Sequence, residues 1–157
     1  MELPSAEAKD QKPAAFARQL QSGEFFLYLG RVDINKGVKE LTEWFLDGHG
    51  VQSGRDASGS YTLALAGTPV MKVPLHPAVH LLGEVDESQK NWLVGNCVAL
   101  ILPSLYESLS LSALEAWAHG KAVVARRGSK VMERHIQDSG GGLLFDDADS
   151  LGALPAR

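Results

Sequence analysis

The segment from Val98 to Ala125 constrains the fold of this chain more than any other part of the sequence. It opens with five successive apolar residues (98–102), as expected of a parallel β-strand that is covered on both faces. Pro103 cannot donate to a sheet and ends this run. Apolar residues then recur at helical spacing until Gly120, a residue suited to ending a helix, and a second apolar run follows. The segment therefore predicts strand, helix and strand, with the helix opening at the carboxyl end of a strand, where open α/β sheets bind ligands.

The same alternation extends through the rest of the chain. Helical patterns separate further short apolar runs, which predict strands at 25–29, 61–66, 79–82 and 143–145. Near-continuous apolar strands that alternate with helices are typical of an α/β fold, in which an open parallel sheet carries helices on both faces. With 157 residues, the chain is predicted to form one domain.

Charge and cysteine content argue against several classes of function. A net charge of −4 argues against general binding to nucleic acids or to anionic membranes. Cys97 is the only cysteine, so no internal disulfide can form, and we interpret it as a small core residue in a reducing compartment. The sequence has neither a signal-peptide pattern nor an apolar run of membrane length. A cytoplasmic domain is therefore expected.

Two cations lie in the loop that follows the first predicted strand. Arg31 and Lys36 stand five residues apart between Gly30 and Gly37, where the chain passes from the strand into a helix. An arginine fork, a lysine point charge and the free N–H groups of a helix N-terminus suit a phosphate group. The alternative is a pair of solvated loop cations, and the spacing alone does not decide between the two.

Two glutamates flank the predicted turn of the central segment. Glu107 and Glu115 lie either side of a strand-to-helix transition, and a carboxylate can accept hydrogen bonds from two sugar or ribose hydroxyls at once. The alternative is structural, because Ser104 with Glu107 and Ser112 with Glu115 both match the Ser-x-x-Glu capping box. Taken alone, the pair favours hydroxyl recognition only moderately.

Other candidates carry weaker signals. Arg126 and Arg127 follow a predicted strand at the ligand-binding edge and are weak candidates for phosphate or acceptor contacts. The range 147–149 has the Asp-x-Asp pattern that binds divalent metals in some sugar transferases, but it lies away from the other candidates and is interpreted as a solvated turn. No Gly-x-Gly-x-x-Gly follows the first strand and no Walker loop is present, which counts against a dehydrogenase or an NTPase.

A series of short motifs occurs in a distinctive order between residues 25 and 150, and together they resemble the C-terminal domain of a group 1 (family 4) glycosyltransferase. The motifs are Gly30-Arg31…Lys36-Gly37, Leu65-Ala-Gly67, Leu82-Gly83, Leu102-Pro-Ser104, Glu107-x7-Glu115, Gly120-Lys-Ala-Val-Val124 and Gly142-Leu-Leu-Phe145. Two departures stand out: Ser108-Leu-Ser110 replaces the usual glycine-rich turn, and Arg126-Arg-Gly-Ser129 replaces a Gly-Gly turn.

The resemblance implies a Rossmann-like sheet that forms one half of a GT-B architecture. It divides the chain into a polar, partly helical N-terminal segment (1–24) and a donor-binding domain (25–157) whose C-terminal helix looks cut short. It further implies retaining transfer of a hexose-type sugar from a nucleotide diphosphate sugar, with neither a metal nor a cofactor. On this resemblance, the other half is expected to be an N-terminal acceptor-binding domain or subunit that the 157 residues do not include, and any peripheral membrane association would come through that half.

The resemblance also assigns roles to residues. Arg31 and Lys36 would bind the diphosphate, Glu107 the donor sugar, and Glu115 the ribose. Glu107 is also the predicted catalytic residue, either as a nucleophile or beside a same-face displacement guided by the leaving group. The remaining predicted donor-binding residues are the turn glycines, a residue near the base and four consecutive residues after Glu107 with backbone donors: Gly30, Gly67, Val85, Ser108, Leu109, Ser110 and Leu111.

Three hypotheses follow for the isolated chain. The first is the donor-binding half of a transferase, which should bind nucleotide sugars weakly and transfer poorly, because half of the cleft is open to water. The second is a non-catalytic nucleotide-sugar-binding module. The third is a doubly wound scaffold in which the two glutamates only cap helices.

Overall fold

A computed structural model describes residues 16, 20–46, 61–74, 76–104, 111–128 and 130–146 of the chain. Strands and helices alternate along these residues. The strands are β1 (Phe25–Leu29), β2 (Thr62–Ala66), β3 (Val79–Gly83), β4 (Ala99–Leu102), β5 (Ala122–Arg126) and β6 (Gly142–Phe145). The helices are α1 (Val38–Leu46), α2 (Glu87–Asn96), α3 (Leu111–Ala118) and α4 (Lys130–Ser139), and a short 3-10 turn (Ile34–Lys36) precedes α1.

The strands form a six-stranded sheet in the order β3-β2-β1-β4-β5-β6, and each neighbouring pair is parallel. At the centre, Leu27 of β1 is paired with Ala64 on one side and Leu100 on the other. All residues of β4 are buried, which accounts for the continuous apolar run in the sequence. This is the predicted open parallel sheet of Rossmann-like type.

Two hydrophobic cores cover the two faces of the sheet, because successive strand residues point to opposite sides. In β1, Phe25 and Leu27 belong to the first core, whereas Phe26 and Tyr28 belong to the second. The first core takes its buried helix residues from α2, α3 and α4, and the second from α1. They are Trp92, Leu93, Val94, Ala113, Ala116, Met132 and Ile136 for the first, and Val38, Leu41 and Phe45 for the second. The prediction of helices on both faces is therefore confirmed.

Local details agree closely with the sequence predictions. The predicted strands 25–29, 61–66, 79–82 and 143–145 each match an observed strand within one residue at either end. Cys97 is buried next to the end of α2, as its interpretation as a core residue requires. Phe16 and Leu20, from the segment predicted to be polar and partly helical, pack in the first core. Among the helices that the structure describes, none is long and apolar enough to cross a membrane.

Candidate functional site

A cleft of about 510 Å³ lies at the carboxyl edge of the sheet. Its walls come from the ends of β1 and β2, from the residues after β3, from the first turn of α2, and from the first two turns of α3. The lining residues are Leu29, Gly30, Arg31, Ala66, Gly67, Thr68, Glu84, Val85, Lys90, Ser112 and Glu115. The strand order turns back between β1 and β4, and the cleft draws residues from both sides of this point. In open parallel sheets, ligands bind in the crevice at such a switch point.

Two glycines allow the ends of β1 and β2 to meet under the cleft. Gly30 N–H donates to Ala66 O at 3.0 Å, and Gly67 N–H donates to Gly83 O at 2.8 Å. A Cβ on Gly67 would lie 2.5 Å from the carbonyl carbon of Gly30 and closer still to its oxygen, and Gly67 has a φ of +150°. No side chain fits between the two turns. Both glycines are predicted donor-site residues, and the structure brings them together at the base of the cleft.

Arg31 is the predicted phosphate ligand that reaches the cleft. Its Nε lies 3.2 Å from Oδ2 of Asp33, and the side chain keeps 60% of its surface exposed. Asp33 is buried, and its Oδ1 also accepts from the backbone N–H of Asn35 at 3.0 Å, which caps the 3-10 turn. The carboxylate of Asp33 therefore pairs with the exposed arginine side chain at Nε. The terminal guanidinium nitrogens remain able to donate to an anionic ligand.

The other predicted cation occupies a different position. Lys36 is the last residue of the 3-10 turn and is half-buried, and it lies outside the cleft lining. Gly37, which follows it, adopts a left-handed φ of +77° and starts the turn into α1. The structure therefore brings Arg31, but not Lys36, to the wall of the cleft.

Glu115 reaches the cleft from the second turn of α3 and meets a cation there. Lys90 Nζ lies 3.2 Å from Oε1 of Glu115 and 3.0 Å from Oε2 of Glu87. Burial of Lys90 lowers its pKa, but the hydrogen bonds and charges of Glu87 and Glu115 outweigh this effect, so that the pKa lies above its ordinary value. Lys90 is therefore charged at neutral pH. Because α3 begins at Leu111, Ser112 lies inside the helix, and the Ser112–Glu115 capping box predicted as the structural alternative does not form.

The remaining predicted residues divide into two groups. Val85 lines the cleft beside Glu84, and its predicted place near the nucleotide base stays a prediction. Leu111 lies outside the lining, with 71% of its surface exposed. The other predicted residues of this loop, Glu107, Ser108, Leu109 and Ser110, lie outside the described part of the chain, so their roles stay predictions.

Lys90, Thr68 and Ser112 line the cleft without having been predicted. The hydroxyl of Thr68 donates to Oε1 of Glu84 at 2.7 Å and joins two strand ends. Lys90 stands 25 residues from Glu115 along the chain and on a different helix. No local motif signals such a pair, whereas the polar residues after β2 and β3 could have been found by listing every residue that follows a predicted strand.

The two arginines after β5 contact other protein groups. The Cζ atom of Arg126 lies 4.9 Å from the centre of the Trp44 ring, and Nε of Arg127 lies 3.0 Å from Oδ1 of Asp146. Neither residue lines the cleft. Within the described ranges, no group of three or more His, Cys, Asp or Glu side chains is arranged to hold a metal ion, and Asp147 and Asp149 lie outside those ranges.

The parallel sheet and its switch-point cleft define an α/β protein of Rossmann-like fold. Residues 23–154 match the sequence profile of the family described as Glycosyl transferases group 1. The match covers most of the chain, and the chain therefore belongs to this family. Comparison with curated protein sequences gives no match.

Solved structures of related fold agree with this assignment. Sucrose-phosphate synthase from Thermosynechococcus elongatus is 24% identical, with a TM-score of 0.65 over 88% of this chain and 37% of that one. HepE from Anabaena, in complex with UDP-glucose, is 18% identical, with a TM-score of 0.65 over 93% of this chain and 43% of that one. The C-terminal domain of a group 1 family protein (LpcC) from Francisella tularensis is 18% identical, with a TM-score of 0.65 over 94% and 78%.

These identities establish similarity of fold. The chain spans less than half of the synthase and of HepE, but most of the isolated C-terminal domain. It therefore corresponds to a partial, C-terminal-like domain of the GT-B glycosyltransferases, as predicted.

Proposed function

We propose that this chain is the donor-binding half of a retaining glycosyltransferase that takes a hexose-type sugar from a nucleotide diphosphate sugar. The observation that carries the proposal is the presence of Arg31 and Glu115 in one cleft at the switch point of the sheet. A guanidinium suits the diphosphate, and a carboxylate suits vicinal hydroxyls. The cleft volume of about 510 Å³ is typical of sites for small organic ligands.

The diphosphate carries most of the charge of such a donor, and more develops on it as the sugar departs. Arg31, which is paired with Asp33, would stabilise that charge without a metal ion or cofactor. Lys36 lies one 3-10 turn further along the chain and would add a second positive charge near the same group. In this assignment the two cations have different positions. Arg31 contacts the phosphates in the cleft, and Lys36 acts from outside the residues that line the cleft.

The rest of the donor would extend across the cleft. Glu115 would accept the ribose hydroxyls, and the base would lie against Val85 and the backbone around Glu84. Glu107 would face the donor sugar and take part in the reaction. The backbone N–H groups of 108–111 would hold the sugar and the adjacent phosphate.

Transfer also requires an acceptor and exclusion of water, and we assign both to a separate N-terminal half. Related proteins of this fold are more than twice as long as the aligned region, which supports a second domain or subunit. A cleft closed on one side only would bind the donor weakly and would leave the reacting carbon open to water. We expect a cytoplasmic location, with any membrane contact made through the other half.

Thermal-shift and calorimetric titrations of the 157-residue chain with UDP, GDP, ADP and their glucose conjugates test the proposal. Arg31→Ala should weaken the binding of the preferred nucleotide by about 10- to 100-fold, the loss expected for a hydrogen bond to a charged group. Arg134→Ala is the matched control, because Arg134 also pairs with a carboxylate, Asp138, but on the exposed side of α4. Absence of binding by all three nucleotides, or equal effects of the two substitutions, would contradict the proposal.

A transfer assay separates the enzyme from a non-catalytic module. The chain is mixed with the N-terminal half of a group 1 glycosyltransferase, and sugar transfer to the acceptor of that half is measured. Sugar transfer that is lost when Glu107 is substituted supports the proposal that the chain is half of a glycosyltransferase. Tight donor binding without transfer under any pairing would instead identify a nucleotide-sugar-binding module.

A further inference from the structure

Lys90 connects two helices at the wall of the cleft. It comes from the first turn of α2, and its Nζ bridges Glu87 on the same helix and Glu115 on α3, at 3.0 and 3.2 Å. We propose that Lys90 is a positioning residue that holds the Glu115 carboxylate for a ribose diol and so makes the cleft selective for ribonucleotides. This inference rests on the proposed function of the cleft.

The environment of the pair supports a positioning role. The side chains of Lys90 and Glu115 are only 26% and 23% exposed, whereas those of Lys39 and Glu43, an i,i+4 pair on α1, are more than half exposed and lie 3.9 Å apart. An exposed pair is screened by water and restrains its side chains weakly. For a carboxylate that is largely shielded from water, a short, charge-assisted hydrogen bond selects the rotamer.

The geometry leaves Glu115 able to bind a ligand. Lys90 donates to Oε1, and each carboxylate oxygen can accept more than one hydrogen bond, so Oε2 and the second lone pair of Oε1 remain for hydroxyl donors. Two adjacent hydroxyls of a ribose match two acceptors on one carboxylate. Glu87 takes another N–H of Lys90 from the solvent side and fixes the ammonium between the two acids.

A cycle of two perturbations tests the proposal. Affinities of wild type and Lys90→Met are measured by calorimetry for the preferred nucleoside diphosphate and for its 2′,3′-dideoxy analogue. We expect Lys90→Met to lower the affinity for the ribonucleotide by about tenfold and to change the affinity for the dideoxy analogue by less than about twofold. The variant should therefore lose most of the wild-type preference for the ribonucleotide over the dideoxy analogue. Lys90→Arg should restore the preference, because a guanidinium can also bridge the two acids.

Controls separate this inference from general effects. Lys39→Met removes a lysine from an exposed i,i+4 pair outside the cleft lining and should change neither affinity. In a Glu115→Gln background, Lys90→Met should have no further effect on the affinity for the ribonucleotide. If the methionine variant folds poorly, Lys90→Gln can replace it in this cycle. Equal weakening of both ligands, or of neither, would overturn the positioning role.

Failure of the proposed function gives a different result. If the cleft does not bind nucleotides, neither ligand binds wild type, and Lys90 variants cannot be distinguished from it. If it does bind them through Arg31, Arg31→Ala weakens both ligands alike, since both carry the diphosphate. Loss of that Arg31 effect contradicts the donor site, whereas an intact Arg31 effect with a ribose preference that Lys90→Met leaves unchanged contradicts only the role of Lys90.

Discussion

Replacing Gly67 with alanine should disturb the base of the cleft more than any other single methyl addition at its strand ends. The new Cβ would lie 2.5 Å from the carbonyl carbon of Gly30, against an ordinary contact distance of about 3.5 Å. The group in its path is backbone, which cannot rotate away as a side chain can. The turns after β1 and β2 would therefore have to separate, with strain on the bond from Gly67 N–H to Gly83 O.

The cost has two parts. Overpacking of this kind destabilises proteins by about 1–3 kcal/mol. A sparsely populated backbone conformation, here a φ of +150°, costs an alanine about 1–3 kcal/mol more. We therefore expect Gly67→Ala to lower the free energy of unfolding by about 2–6 kcal/mol, a large share of the 5–15 kcal/mol typical of a domain.

Urea unfolding, followed by tryptophan fluorescence, measures this loss. Gly120→Ala is the matched control, because Gly120 has a φ of +71° but nothing within 4 Å of its added Cβ. Gly120→Ala should lower the free energy of unfolding only by the cost of placing an alanine in a left-handed backbone conformation, about 1–2 kcal/mol. A loss for Gly67→Ala no larger than that for Gly120→Ala would refute the close approach of the two turns.

Three further predictions concern other parts of the fold. Asp86→Ala removes the capping box of α2, in which Asp86 and Gln89 exchange hydrogen bonds of 2.7 and 2.9 Å, and should lower the unfolding free energy in urea by about 0.5–2 kcal/mol, whereas Asp86→Asn should retain most of it. Trp117→Phe removes the 2.8 Å hydrogen bond from Nε1 to Gly141 O and should cost about 1–3 kcal/mol in the same assay; no change would show that water replaces the bond. Burial raises the pKa of the Cys97 thiol from 9.0 to about 12, so the native thiol should resist Ellman's reagent at pH 8. Its contribution to stability is complete below pH 9 and is lost as the pH rises toward 12, because the unfolded thiol ionises first, and Cys97→Ala should show a smaller loss of stability between pH 8 and pH 10.5.

The central segment shows how far local patterns reach. The buried strand β4 and the strand β5 after it were predictable, because a strand covered on both faces must be apolar throughout its length. The position of Glu115 near a ligand-binding edge followed from the same pattern. The pairing of Glu115 with Lys90 did not follow from that pattern. The Ser112–Glu115 capping box, which the sequence suggested as an alternative role for Glu115, is absent in the structure.

The two cations of the first loop show what local sequence patterns could not predict. Arg31 and Lys36 share a loop and a charge, and the sequence treats them alike. The 3-10 turn that ends at Lys36, capped by Asp33, rotates the chain so that Arg31 lines the cleft and Lys36 does not. Spacing along the chain predicts distance only where the backbone conformation is known, and a single turn of 3-10 helix changes which side chains share a wall.

By itself, the sequence determined the class of fold, the positions of the strands and the edge of the sheet at which polar residues collect. These features depend on periodicity and on the special backbones of glycine and proline, which are local properties. Only the tertiary structure decided that Gly67 must meet Gly30, that Glu115 is paired with Lys90, and that Lys36 stands outside the cleft. Those relations join residues from different elements, and the packing of helices against the sheet sets their distances.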